Sequence, residues 1–179
     1  LELQAERLRA QPGLSVISCL VETFPPNTVT EGFRRYVEWL NALTTHAEIG
    51  REIFIESPLP HPSVMLRRTE VLALGGYQER GWAEDYDLWL RYHLVGKRME
   101  KVTQTLLRWR DHPGRATRTD PRYSVENFLR AKAHYLLRGP LRDHDAIIIW
   151  GAGQMGRRLS KHLIRAGAPV LAFLDIDTG

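Results

Sequence analysis

The sequence predicts an α/β protein: a mixed sheet with flanking helices, then the start of a second unit that reads strand, loop, helix, strand. Three features predict it. Runs rich in β-branched and apolar residues alternate with segments of helical spacing across residues 1–138. Residues 139–145, Gly-Pro-Leu-Arg-Asp-His-Asp, lack that periodicity and read as a linker. Residues 146–179 then place a buried-strand run, Ala146-Ile147-Ile148-Ile149-Trp150, directly before Gly151-Ala152-Gly153-Gln154-Met155-Gly156.

Each element has a local reason. Residues 1–10 read as the tail of a helix with Leu1, Leu3 and Leu8 near one face, stopped by Gln11-Pro12-Gly13. Residues 14–24 are β-branched enough to form a strand, and Pro25-Pro26-Asn27 turns the chain. Thr30 caps a helix over 31–45, in which Phe33, Tyr36, Val37, Leu40 and Leu43 keep helical spacing. Residues 52–55 are expected to be extended. Residues 57–62 are expected to be irregular, because Pro58, Pro60 and Pro62 deny helix and ladder bonding alike. A strand over 63–66 and a helical turn to Leu74 lead into Gly75-Gly76, which accept left-handed geometry at little cost. A helix over 85–95 turns Leu88, Trp89, Tyr92 and Val95 toward the core. Residues 98–110 read as one or two strands and 111–120 as a polar, Arg-rich loop. Residues 121–138 read as a helix anchored by Tyr123, Phe128, Ala131 and Tyr135. Beyond the linker come a strand over 146–150, the glycine loop, a helix over 157–166 and a strand over 170–175.

Composition bounds the function classes. Apolar residues make up 43% and charged residues 26%, as in a globular protein in water. The formal charge of +4 is too small an excess to indicate a nucleic-acid partner, and none is predicted. Most of the basic residues are Arg, whose planar fork matches phosphate, so an anionic ligand fits the composition. Cys19 is the single cysteine; no internal disulfide is possible, a cytoplasmic location is permitted, and its apolar surroundings predict an inert buried thiol. No apolar run approaches the ~20 residues that span a bilayer. The chain begins at Leu1 and stops at Gly179 inside a motif, and is expected to be an internal piece of a longer protein. Sheet edges left open in such a piece favour association between copies.

Three groups of residues carry chemistry. Glu84-Asp85 stand at the start of an amphipathic helix just after a glycine turn. Acids there interact with the helix dipole, but a carboxylate held on a rigid helix start is also a suitable general base. Arg110, Arg115 and Arg118 crowd one loop with His112, and guanidinium groups so placed repel unless solvated or facing an anion such as a diphosphate. Gly151, Gly153 and Gly156 allow a tight turn and close approach of phosphate to a helix N-terminus, with Asp175 placed for a ribose hydroxyl. His61 either lines an acceptor pocket or is structural, and Trp82 either stacks on a sugar or packs. Trp89 and Trp109 are expected in the core.

The run from His61-Pro62-Ser63-Val64-Met65-Leu66 through Gly75-Gly76-Tyr77 to Glu84-Asp85-Tyr86-Asp87-Leu88-Trp89-Leu90-Arg91 resembles the acceptor-side half of bacterial family-2 glycosyltransferases. Trp109-Arg110-Asp111-His112-Pro113 and Arg118-Thr119-Asp120 extend the likeness, which covers residues 1–138. It implies the C-terminal part of a GT-A fold and sugar transfer from a nucleotide-diphosphate sugar, usually with inversion. It makes Asp85 the base and gives Glu84 an orienting or acceptor-binding role. It implies that His112 approaches a metal or diphosphate, with Mn²⁺ or Mg²⁺ on an aspartate motif preceding Leu1, so that residues 1–179 alone are expected not to turn over. Its partners are a nucleotide-sugar donor and a glycan or lipid-linked acceptor. The setting is cell-surface polysaccharide synthesis, in the cytoplasm or at the inner face of the membrane. Residues 146–179 resemble the opening of a Rossmann-like unit, where a nucleotide or dinucleotide would bind. Two readings compete. One is a non-catalytic nucleotide-binding or assembly module in which the acidic pair only caps a helix. The other is a nicotinamide-dependent oxidoreductase, read from the glycine loop alone.

Overall fold

The computed structural model describes residues 1–176; Asp177, Thr178 and Gly179, the last residues of the predicted second unit, lie outside the described residues. The chain divides into two compact units, Leu1–Gln78 with Glu84–Thr119, and Glu79–Ala83 with the chain from Asp120 onward. Both are α/β.

The first unit is built on a mixed sheet. β1 (Leu14–Phe24) lies between β2 (Met65–Leu66), to which it is antiparallel, and β3 (Arg98–Arg110), to which it is parallel. Val16, Ile17, Cys19 and Val21 are all at most 2% exposed, as a strand buried on both faces requires. β3 is one strand. Its predicted break is a register shift: Cys19 pairs with Val102 and Leu20 with Thr105, so Thr103 and Gln104 bulge outward.

Helices cover this sheet by burying their apolar stripes. α1 (Glu2–Ala10) sets Leu8 against Leu14 and Ile17, while Leu1 and Leu3 stay exposed. α2 (Glu31–Ala42), capped by the Thr30 side chain, sets Val37 and Leu40 against Val21. It ends earlier than predicted because α3 (His46–Glu52) starts with its own capping box, Thr45 accepting from the Glu48 amide and Glu48 accepting in return. α3 replaces part of the expected extended piece at 52–55, and Ile49 and Ile53 lock it into the core at 0% exposure. β2 is shorter than predicted, because His61–Ser63 winds into a 3₁₀ turn. Arg67 then donates to the carbonyls of Leu8, Gln11 and Leu14, closing the end of α1 onto the strand.

α4 (Arg68–Ala73) ends in the predicted glycine turn, with φ of +82° at Gly75 and +66° at Gly76. α5 (Glu84–Leu94) buries Tyr86, Leu88, Trp89, Leu90 and Tyr92. Val95 does not join them; it follows the helix end and is 56% exposed, because Gly96 turns the chain away. α6 (Ala116–Thr119) is a single turn inside the Arg-rich loop.

In the second unit α7 (Val125–Leu136) packs on α8 (Gln154–Arg165) over the parallel pair β4 (Ile147–Trp150) and β5 (Val170–Leu174). Its core is Ala133, Ile147, Leu163 and Ala168, flanked by Leu137, Leu141 and Val170. Residues 120–138, grouped by sequence with the first region, thus share a core with residues 146–170, and Leu141 of the predicted linker packs on it. Leu129, Ala131 and Tyr135 anchor α7, whereas Tyr123 and Phe128 face each other half-buried, 6.4 Å apart.

Candidate functional site

The glycine turn and the start of α5 are held together by a buried ion pair. Asp87 is fully buried, and its Oδ2 accepts from Arg91 at 2.8 Å. Arg91 in turn donates to the carbonyls of Leu74 at 2.6 Å and Gly76 at 2.7 Å. Breaking such a pair strands a charge in the interior, so Arg91 ties the turn before α5 to the helix. That turn delivers Tyr77, whose hydroxyl lies 2.9 Å from His61 Nε2. The His61 ring also meets the Trp89 ring edge-on at 6.2 Å.

Asp85 faces this group from the first turn of α5. The residue is half-buried, and its carboxylate accepts from two backbone amides, that of Tyr86 at 2.7 Å to Oδ1 and its own. Burial pushes its carboxyl above the ordinary value; the Tyr86 amide and the His61 charge oppose that, and the Glu84 charge adds to it. Burial, with the charges of Asp85 and Glu84, likewise raises the Tyr77 phenol. Burial and the charges of Glu56 and Asp85 raise that of Tyr36, against an opposing effect of Arg115. Residues 36, 56, 61, 77, 84 and 85 therefore form one electrostatic neighbourhood drawn from five segments of chain. Tyr77, Tyr36 and Glu56 were missed as site residues, because nothing local in the sequence marks a tyrosine as facing a distant acid.

The Arg-rich loop resolves differently. Asp111 is 1% exposed, and its two oxygens accept from Arg115 at 3.2 Å and Arg118 at 2.8 Å. Arg115 also lies 4.5 Å over the Phe33 ring and 4.4 Å over that of Trp109. The anion these two arginines face is thus already in the chain. Arg110 and His112 are exposed beside them. Trp109 is half-buried against Phe33, and Trp89 is fully buried as expected.

In the second unit Trp82 is 7% exposed, with the His134 ring 5.3 Å away and the Arg130 guanidinium 5.5 Å over its ring. Gly151 has φ of +103°, and a Cβ on Gly156 would stand 1.9 Å from the Gly151 carbonyl oxygen. Gly153 is the N-cap of α8. Asp175 Oδ2 accepts from the Ala152 amide at 2.9 Å, tying the glycine loop to the end of β5. The loop has the tight turn and close helix–strand approach of a phosphate-binding unit, while Asp175 is spent in part on the loop itself.

No group of three or more His, Cys, Asp or Glu able to hold a metal ion occurs among the described residues, and His112 offers one exposed imidazole. Among those residues no helix is long and apolar enough to cross a membrane.

No family model matches the chain, and no solved structure matches it. The chain is similar to the UDP-Gal:alpha-D-GlcNAc-diphosphoundecaprenol beta-1,3-galactosyltransferase of Escherichia coli, with 26% identity over 134 residues that cover 74% of this chain. The matched stretch spans 46% of that relative, about half its length.

Proposed function

We propose that this chain is the acceptor-side part of a glycosyltransferase that moves a sugar from a nucleotide-diphosphate sugar to a glycan or lipid-linked acceptor. Asp85 carries the proposal. It is a half-buried carboxylate in the first turn of a helix, raised in basicity by burial and electrostatically coupled to His61 and Tyr77. The similarity to a galactosyltransferase over the same region supports it.

In the proposed step the Asp85 carboxylate takes the acceptor hydroxyl proton as the hydroxyl oxygen attacks the anomeric carbon. The bond to the diphosphate breaks on the opposite face, inverting the centre, and the nucleoside diphosphate leaves with the negative charge. Glu84 orients the acceptor, and the His61–Tyr77 pair lines its approach. The described residues do not by themselves make a divalent-metal site, so the proposal assigns Mn²⁺ or Mg²⁺ to carboxylates outside them. A lipid-linked acceptor would place the enzyme at the inner face of the membrane, in cell-surface glycan synthesis.

A second reading, a nucleotide-binding module without catalysis, draws on the Tyr86 amide bond, which shows Asp85 also serving its own helix. One assay separates them. The protein carrying this chain is incubated with UDP-galactose and a GlcNAc-diphospholipid in Mn²⁺ or Mg²⁺, beside Asp85→Asn. Transfer that drops by about 10²–10⁴ in a folded variant supports the base; undiminished turnover rejects it.

A further inference from the structure

Glycosyl transfer at Asp85 leaves a basic cavity in the second unit without a role. It measures about 470 Å³ and is lined by Trp82, Arg130, His134, Arg138, His162 and Arg165, with no carboxylate in its wall. Helical geometry assembles it. Arg130, His134 and Arg138 recur every fourth residue along α7 and its end, and His162 and Arg165 are three apart on α8.

The partners of these arginines are neutral. Arg130 donates to Asn127 Oδ1 at 2.8 Å, and Arg138 to the His134 carbonyl at 3.0 Å. Glu126 pairs with Arg158 and with His162 of the cavity wall, each at 2.6 Å, and with none of the three arginines. Among the described residues neither Arg130, Arg138 nor Arg165 pairs with an acid. Helix dipoles account for part of this, since Arg138 and Arg165 stand at C-terminal ends where cations are favoured. They do not account for Arg130, which sits inside α7, or for the convergence of both helix ends on one concave space. Guanidinium groups around a shared space repel unless an anion or water lies between them, and their planar fork matches phosphate oxygens in pairs. The volume lies in the range of small-molecule sites and exceeds what a single phosphate fills.

We propose that this cavity binds a diphosphate-bearing ligand, its oxygens held by Arg130, Arg138 and Arg165 and its attached group lying beside Trp82. The diphosphate has two sources, a soluble metabolite or a lipid headgroup, and two probes tell them apart. The whole chain is titrated calorimetrically with inorganic pyrophosphate. In parallel it is sedimented with phosphatidylcholine vesicles with and without a long-chain alkyl diphosphate. Saturable pyrophosphate binding is expected, weakened about tenfold in Arg165→Gln and about a hundredfold in Arg130→Gln/Arg165→Gln. Both variants should keep the native circular dichroism, because these side chains are exposed. Arg34→Gln, on the exposed face of α2, should bind as the unaltered chain does. Vesicle binding that needs the alkyl diphosphate and is lost in the double variant identifies a lipid headgroup; pyrophosphate binding alone identifies a soluble ligand. Equal affinity in the double variant and the unaltered chain, or no saturable binding of either probe, overturns the proposal.

Discussion

Asp85 is held at a cost to the fold, and that cost has a sign. Burial raises its carboxyl above the ordinary value, so the folded protein holds the proton more tightly than the unfolded chain does. Its contribution therefore favours folding at acid pH and is lost as pH rises from the unfolded toward the folded value. Asp85→Asn is expected to melt higher than the unaltered protein at neutral pH, with the gain vanishing under acid conditions. A lower melting temperature at every pH would mean that the carboxylate is not paying a desolvation penalty. Asp111 is the opposite case: it is buried and doubly engaged by Arg115 and Arg118. Asp111→Ala leaves Arg115 facing the interior uncompensated and is expected to cost about 3 kcal/mol in urea unfolding. A loss near zero would mean the loop arginines turn outward without strain. The sequence left these arginines either solvated or facing an anion such as a diphosphate. Asp111 stands among them in the chain, yet only its burial reveals it as their partner.

At the scale of elements, legibility followed length and local signals. β1, α2 and α5 carry long periodic patterns and were read correctly as to type. α3 was missed because a helix of seven residues shows little period; its capping box, Thr45 to Glu48, was the available signal. β2 shrank to two residues because the strand needs partners that the 3₁₀ turn at His61–Ser63 has already taken from the ladder. The glycine loop was legible for a steric reason that the structure makes specific. Gly156→Ala would press a methyl into the Gly151 carbonyl, a backbone atom that cannot swing aside. That substitution is expected to destabilise the second unit by about 1–3 kcal/mol or more, with faster amide exchange in α8 and β4. Unchanged exchange there would show that the loop opens freely.

For the molecule as a whole, the division of the chain is not a single cut. The second unit takes Glu79–Ala83 from within the first region, and the segment is tied in by Glu79–Arg122 at 3.1 Å and by Arg80 and Trp82 at His134. A polypeptide beginning at Asp120 lacks that segment. It is expected to melt lower and to exchange amides faster along α7 than the same residues do in the full chain. Equal protection would show that the segment contributes nothing to the unit.

The sequence by itself determined the type of the long periodic elements and the glycine turn before α5, and it marked the acidic pair and the glycine loop as candidates for chemistry. Those are properties of neighbours along the chain, where periodicity, capping and backbone freedom act. Only the tertiary structure decided that Arg115 and Arg118 meet Asp111, that Asp87 anchors Arg91 while Asp85 stays half-buried near His61 and Tyr77, and that α7 belongs with α8. Such pairings depend on distance and on exclusion of water between segments far apart in sequence, and no local pattern encodes either.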